Sequence, residues 1–451
     1  MFIDWVYIDR IFVESFTYLT QQSEVGLFYL FWFSFLFEVP RFVVAFLIFM
    51  LFGRIIYRPA DPSYFSYIDS EEDSLVAIYE NKQKSNCAKV SVIIVGHNEG
   101  QKIERCARSL REQTLQDFEI IIASDGSTDN MSAIAQNLVK QGVADRAIST
   151  SVRGGKSAAI NMAKRFAKGE YIVVVDSDGS FNRFALEQIL QPFKDPQIGI
   201  VSGNVLVRNG KKSLIAATQA VEYLICVSLG REILQLINGI SCSSGAFSAF
   251  RKTALVDVQG VDVGGGEDFD LTLRLRQKGW KVAFVPEAIC YTDVPHKLWG
   301  YIRQRLRWER DSYRLRYRKH GAVINPFSPR FQAKELFHQF DFLFFNIIAG
   351  LAMPIYLVWL FTSYSASIAI LAVLTTMIIL IIVNIFGFML AVIRSGRHEY
   401  WRYILFVPAY SISTDFLMRF VRLYAYGEEF FLNASSKDNF VPQRVRSIRK
   451  W

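Results

Sequence analysis

The stretch Tyr171-Ile-Val-Val-Val-Asp-Ser-Asp-Gly179 decides how the middle of this chain folds. Four consecutive β-branched residues, with no polar alternation, describe a strand buried on both faces. The strand then stops abruptly on two carboxylates, Asp176 and Asp178, one residue apart. Upstream, Val92-Ile-Ile-Val-Gly-His-Asn-Glu99 and Ile121-Ile-Ala-Ser-Asp-Gly-Ser-Thr-Asp129 repeat the arrangement of an apolar run closing on an acidic, glycine-containing turn. Strands are expected over 90–95, 118–123, 171–175 and 198–202, and helices over 101–113, 129–140, 155–167 and 183–194. Such alternation predicts an α/β domain with a mostly parallel, Rossmann-like sheet that binds its ligand at the carboxyl ends of the strands.

On either side of this domain the composition changes. The chain has 451 residues, 51% hydrophobic and 21% charged, which excludes an intrinsically disordered protein. The apolar residues gather in terminal blocks. Leu27 to Phe52, broken by Glu38, Pro40 and Arg41, is long enough for one crossing of a ~30 Å hydrocarbon layer or for two shorter elements. Runs over 341–361 and 366–393 predict a hairpin, and 403–426, with Asp415, Arg419 and Arg422, is either a fourth span or an interfacial element. Arg54, Arg58, the basic turn Arg394 to Arg402 and the tail bearing Arg444, Arg446, Arg449 and Lys450 predict that the α/β domain and C-terminus lie in the cytoplasm. The expected division is 1–57 amphipathic and transmembrane, 58–87 linker, 88–320 the α/β domain, 321–426 interface and transmembrane helices, and 427–451 a basic tail. That describes a multi-pass protein of the cell membrane, with about three crossings.

The net charge of +9 is compatible with nucleic acid, an anionic membrane or a phosphorylated substrate. With no zinc-finger spacing or RNA-binding signature, nucleic acid is the weakest of the three. The five cysteines, scattered and without a CxxC pair, read as reduced thiols.

Four groups of residues can carry chemistry. Asp176 and Asp178 can grip a hard cation, Mg²⁺ or Mn²⁺, which recruits substrate phosphate to complete its shell. Arg153-Gly-Gly-Lys156 combines close backbone approach with cations that can face phosphate, or is a helix entry with a solvated lysine; it is no Walker A loop. Gly265-Gly-Glu-Asp268 opens a helix with Glu267 and Asp268, where Asp268 is either a general base or a helix N-cap. Gln304-Arg-Leu-Arg-Trp308 lies in a basic run reaching Lys319. There Arg307 can neutralise a leaving diphosphate and Trp308 can stack on a sugar, while the run itself reads equally as a membrane-surface helix.

In order and spacing, the Asp125 loop, Asp176-Ser-Asp178, Gly266-Glu-Asp268 and Gln304-x-x-Arg-Trp308 resemble the processive family 2 glycosyltransferases. These include poly-N-acetylglucosamine, hyaluronan, chitin-oligosaccharide and cellulose synthases. The likeness covers about residues 88–312 and implies a GT-A fold flanked by transmembrane helices. It assigns Asp125 to the uracil base, Lys156 to the nucleotide pocket, and Asp176 and Asp178 to the metal and diphosphate. Asp268 corresponds to the catalytic base, with Glu267 beside it as a substrate-binding residue. Gln304, Arg307 and Trp308 correspond to the pocket for nucleotide and acceptor end. Ser243 to Arg251 resembles the acceptor-side segment of poly-N-acetylglucosamine synthases, whereas Gly-Glu-Asp falls between the cellulose and hyaluronan forms of the base motif. The resemblance implies a UDP-sugar donor, N-acetylglucosamine first, glucose second and an alternating polymer third, with a growing polysaccharide as acceptor. Membrane lipids are partners, and export or regulatory proteins are compatible with it. Two alternatives share parts of the pattern: a non-processive transferase acting on a lipid carrier, and a receptor that binds a nucleotide sugar without turnover.

Overall fold

The computed structural model describes residues 5–44, 47, 90–438, 442, 443 and 445. The 58–87 linker, Arg54, Arg58, Cys87 and the tail cations Arg444, Arg446, Arg449 and Lys450 lie outside the described residues.

The three apolar runs become neighbouring strands. β1 (Val90–Gly96) pairs in parallel with β2 (Phe118–Asp125) on one side and β4 (Tyr171–Asp176) on the other, and β3 (Arg146–Thr150) extends the sheet beyond β2. The register sets Gly96 opposite Ser124 and Val95 opposite Asp176, so the acidic ends of β2 and β4 finish along one edge. Beyond β4 the order continues β7 (Phe247–Arg251), β6 (Ile198–Val207), β8 (Lys281–Thr292), β5 (Ser180–Phe181), with β7 antiparallel to both neighbours and β5 antiparallel to β8.

Side chains alternate across each strand. Val92, Ile94, Ile120, Ile122, Val173 and Val175 pack on one face with Ile103, Leu110 and Leu138 from helices Gly100–Arg111 and Met131–Lys140. Ile93, Ile121, Ile172 and Val174 pack on the other with Ala159, Ile160 and Leu271 from helices Lys156–Lys164 and Glu267–Gln277. Each fully buried Val or Ile contributes about 1.5–3 kcal/mol. With both faces covered, the strands read as unbroken apolar runs, which is why the first three are legible in the sequence and end within two residues of expectation.

Among the described residues, four helices are long and apolar enough to cross a membrane: Leu214–Leu236, Gln339–Ser363, Ala366–Ser395 and His398–Leu432. Glu24–Leu30 and Ser34–Val44, bent by 82° at their junction, form a fifth candidate. The N-terminal run is thus broken, as its interruption allowed. Leu214–Leu236 was not anticipated. It follows β6 and precedes β7, and Ala216, Ala220 and Leu224 pack into the same core as Phe247 of β7 and Phe388 of the Ala366–Ser395 helix. It joins the catalytic domain to the apolar helices. Asp415 and Arg419 are buried. Asp415 accepts hydrogen bonds from Asn384 (2.7 Å) and Ser411 (3.0 Å), and Arg419 pairs with Glu38 of the N-terminal element. Both face the protein interior, paired, and not a lipid or headgroup surface.

Candidate active site

The loop after β2 is pinned from within. Both oxygens of Asp125 accept backbone N–H groups, from Gly154 and Gly155, each at 2.7 Å. His97 bonds through Nδ1 to the Asp125 carbonyl at 2.8 Å. Gly155 has φ +87° and Gly126 φ +59°, and a Cβ on Gly126 would stand 2.4 Å from the Arg153 nitrogen. Glycine is therefore required where these two turns touch. Asp125 holds the Arg153–Lys156 loop against the sheet edge, one residue before the helix that carries Lys156.

Lys156 turns into a cluster of carboxylates. Its ammonium lies 2.6 Å from Asp176 Oδ1 and 2.9 Å from Glu267 Oε1, and donates to the Gly245 carbonyl at 2.9 Å. It is not the solvated lysine of a plain helix entry: burial would depress the ammonium, but two carboxylates hold it well above the ordinary lysine range. Burial would likewise raise Glu267, and Lys156 pulls it down instead.

Asp268 behaves differently. Burial and the adjacent Glu267 charge raise its carboxyl from 3.8 to about 6. It is not the helix N-cap. Gly266, in the left-handed region at φ +67°, occupies that position, and Asp268 Oδ1 accepts only its neighbour's amide, Phe269 N–H at 2.8 Å. Glu267 and Asp268 are thus driven apart in proton affinity although they are adjacent, an arrangement that suits one to hold a cation and the other to take a proton. A void of about 20 Å³ beside them is lined by Lys156, Glu267, Asp268, Ser243, Ser244 and Gly245 among others.

Asp176 and Asp178 are both raised by burial before any neighbouring charge. The turn carrying Asp178 is braced by Arg208, which donates to the Asp178 carbonyl (3.0 Å) and to Ser180 Oγ (2.8 Å) and pairs with Asp293 (2.7 Å). Thr292 reaches the Asp178 carboxylate at 3.4 Å. Among the described residues, no group of three or more His, Cys, Asp or Glu can hold a metal ion. Two under-compensated carboxylates nonetheless fit a hard cation whose remaining donors come from a phosphorylated ligand.

Gln304, Arg307 and Trp308 lie on helix Leu298–Tyr313. Arg307 acts electrostatically on Glu267, bringing this helix to the same site. Gln304 Oε1 is buried without a hydrogen-bond partner. Trp308 is 38% exposed, and the Arg305 guanidinium covers one of its faces at 4.5 Å. The rest of the basic run is not a membrane-facing stripe. Arg305 pairs with Glu222, Arg310 with Glu428, Arg314 with Asp311, Arg318 with Glu429 and Lys319 with Asp262 and Asp270. Its partners lie up to 118 residues away, beyond any local charge count. The described cysteines, Cys106, Cys226, Cys242 and Cys290, are free, as their spacing suggested.

Sequence reasoning missed Arg208, which belongs to no motif. Gly245 lies within the Ser243–Arg251 segment, but its own part was not legible: a Cβ there would stand 2.9 Å from Asp268 Oδ2 and push that carboxylate aside.

Residues 88–310 match the family described as glycosyltransferase like family 2. That segment is a family 2 glycosyltransferase domain of GT-A fold, and the protein is a glycosyltransferase associated with membranes through its apolar helices. It resembles the poly-β-1,6-N-acetyl-D-glucosamine synthases. It is 27% identical to that of Staphylococcus epidermidis over 71% of this chain and 76% of the relative. It is 28% identical to that of Staphylococcus aureus strain COL over 60% of this chain and 64% of the relative, somewhat under two thirds of that protein. Among solved structures, the mannosyltransferase PcManGT of Pyrobaculum calidifontis, determined with GDP-Man and Mn²⁺, shares the fold. Its TM-score is 0.52 at 18% identity, covering 86% of this chain and 99% of that one.

Proposed function

We propose that this protein is a processive, inverting polysaccharide synthase that draws UDP-N-acetylglucosamine from the cytoplasm, lengthens a β-linked chain and passes it across the membrane. The observation that carries the reading is Asp268: a carboxyl lifted to about 6 beside a Lys156–Glu267–Asp176 ion cluster, at the carboxyl edge of a family 2 domain flanked by apolar helices. The two staphylococcal relatives support the choice of sugar.

In this reading Asp268 takes the proton of the acceptor hydroxyl. The hydroxyl oxygen bonds to the anomeric carbon as the carbon–oxygen bond to UDP breaks, and UDP leaves with that electron pair. Asp125 keeps the Gly154–Gly155 loop seated under the nucleotide base, and Arg307 lies where leaving charge grows. Trp308 offers its uncovered face to the acceptor sugar. Asp176 and Asp178 would hold Mg²⁺ or Mn²⁺, which supplies charge neutralisation for the diphosphate. The basic turn Arg394 to Arg402 between two apolar helices supports a cytoplasmic catalytic side. Because Asp415 and Arg419 are engaged with Asn384, Ser411 and Glu38, passage of polymer between these helices requires that those pairs part or that other groups line the route.

Purified protein given each UDP-sugar in turn, with UDP release measured and product cut by linkage-specific hydrolases, tests the reading. UDP-N-acetylglucosamine is expected to yield long β-linked polymer, and short single-addition products would sink processivity. Chelation by EDTA is expected to stop UDP release, with recovery on adding Mg²⁺ or Mn²⁺. Asp268→Asn is expected to lower transfer by roughly 10²–10⁴-fold while UDP binding stays measurable.

A further inference from the structure

Between β6 and β7 the helical segment widens into a π-helical stretch, Tyr223–Leu229, before resuming as Gly230–Leu236. Such local widening often marks a functional position. Here it precedes Arg231, a half-buried arginine that no motif contains. Its Nη1 donates to Ser202 Oγ at 3.2 Å. That same hydroxyl accepts the Ser244 amide at 3.0 Å. The next residue is Gly245, whose absent side chain leaves room for Asp268. Arg231 therefore stands two hydrogen bonds from the wall of the site, and its charge acts on Asp268.

Its isolation sets it apart. Among the described residues, no carboxylate lies within ion-pair distance of Arg231, whereas Arg208, Arg274, Arg276, Arg305 and Arg314 of the same domain each have one. A guanidinium carries five N–H donors, and a single neutral hydroxyl takes one. Among the described residues, none of its nitrogens is a buried atom without a partner, so the remaining donors open toward solvent, where a ligand can supply acceptors. A guanidinium can only donate, so the group it recognises is an oxygen. The acceptor hydroxyl must come within hydrogen-bond reach of Asp268 to be deprotonated, which brings the rest of that sugar, with its hydroxyl and acetamido oxygens, onto the Ser202–Ser244 side.

The geometry points to Arg231 as an acceptor-binding residue, donating hydrogen bonds to an oxygen of the terminal acceptor sugar beside Asp268. This rests on the proposed glycosyl transfer from UDP-N-acetylglucosamine. It is separate from the donor, whose diphosphate belongs with Asp176, Asp178 and Arg307.

The test uses the full-length protein in detergent with UDP-N-acetylglucosamine and soluble N-acetylglucosamine oligosaccharides as acceptors. Arg231→Ala is expected to raise the KM for acceptor about tenfold or more, the consequence of losing a charge-assisted hydrogen bond. The donor KM should stay within about twofold, and more of the released UDP should come from hydrolysis than from transfer. Arg231→Lys should recover part of the acceptor affinity. If Arg231→Ala does not fold, Arg231→Gln carries the same measurement. An unchanged acceptor KM, or a rise in donor KM instead, overturns the assignment while wild-type turnover leaves the proposed reaction standing. A wild-type enzyme that turns over no UDP-N-acetylglucosamine overturns the proposed reaction and this inference with it.

Discussion

Asp268 and Glu267 share a helical turn, yet one is lifted to about 6 and the other lowered. The difference is Lys156, which touches Glu267 at 2.9 Å, while on Asp268 burial and the Glu267 charge outweigh its pull. Two consequences follow. A base must be ionised to act, so transfer should rise with pH along a limb centred near 6, measurable as kcat/KM between pH 5 and 8. A carboxyl whose folded value lies above its unfolded one also opposes folding once ionised. That cost is absent below about pH 4 and complete above about 6. Asp268→Asn should accordingly raise the melting temperature at pH 8 relative to wild type and lose that advantage at pH 4, while remaining inactive; an equal shift at both pH values argues against the burial origin. Individual residues were legible as positions, Asp176 closing a strand and Glu267 and Asp268 opening a helix, where the structure has them. Lys156 was found, but its orientation was not, because the carboxylates that capture it come from elements 20 and 111 positions further along the chain.

Strands β1, β2 and β4 were legible because burial on both faces forces uninterrupted apolar runs. β3, β7 and β8 were not, since the outlying β3 is only partly buried and β8 carries exposed Lys281 and Glu287. Helix Leu298–Tyr313 and its extension to Lys319 looked like a membrane-binding stripe for a related reason: the acidic partners that neutralise it lie in distant elements. The segment Ser243–Gly245 is the clearest case of an element whose role depends on closeness. Adding one methyl at Gly245 drives a Cβ to 2.9 Å from Asp268 Oδ2. Gly245→Ala is therefore expected to cut transfer by about tenfold or more, since displacing a catalytic group by 1 Å can cost about a hundredfold. The melting temperature should hardly move, which separates a displaced base from a failed fold.

The apolar ends of the chain form one body. Leu30, Phe33 and Phe37 of the N-terminal element pack with Ala349, Met353 and Tyr356, Tyr356 donates to the Leu30 carbonyl at 2.8 Å, and Glu38 meets Arg419 in the interior. Arg419→Ala leaves Glu38 buried and unpaired, and is expected to cost about 3–5 kcal/mol. Replacing both residues by Leu should restore most of that loss in a thermal unfolding assay in detergent. If the double variant is as unstable as the single one, the pair is not what holds these helices.

The Glu38–Arg419 contact joins residues 381 positions apart. A ribosome adding about 5–20 residues per second delivers the arginine roughly 20 to 75 s after the glutamate. Through that interval the catalytic domain emerges and folds while an acidic side chain in the first apolar segment waits for its counter-ion. Closure of the apolar helical body around this pair therefore cannot precede synthesis of Arg419, and a chain truncated before it leaves Glu38 without this partner.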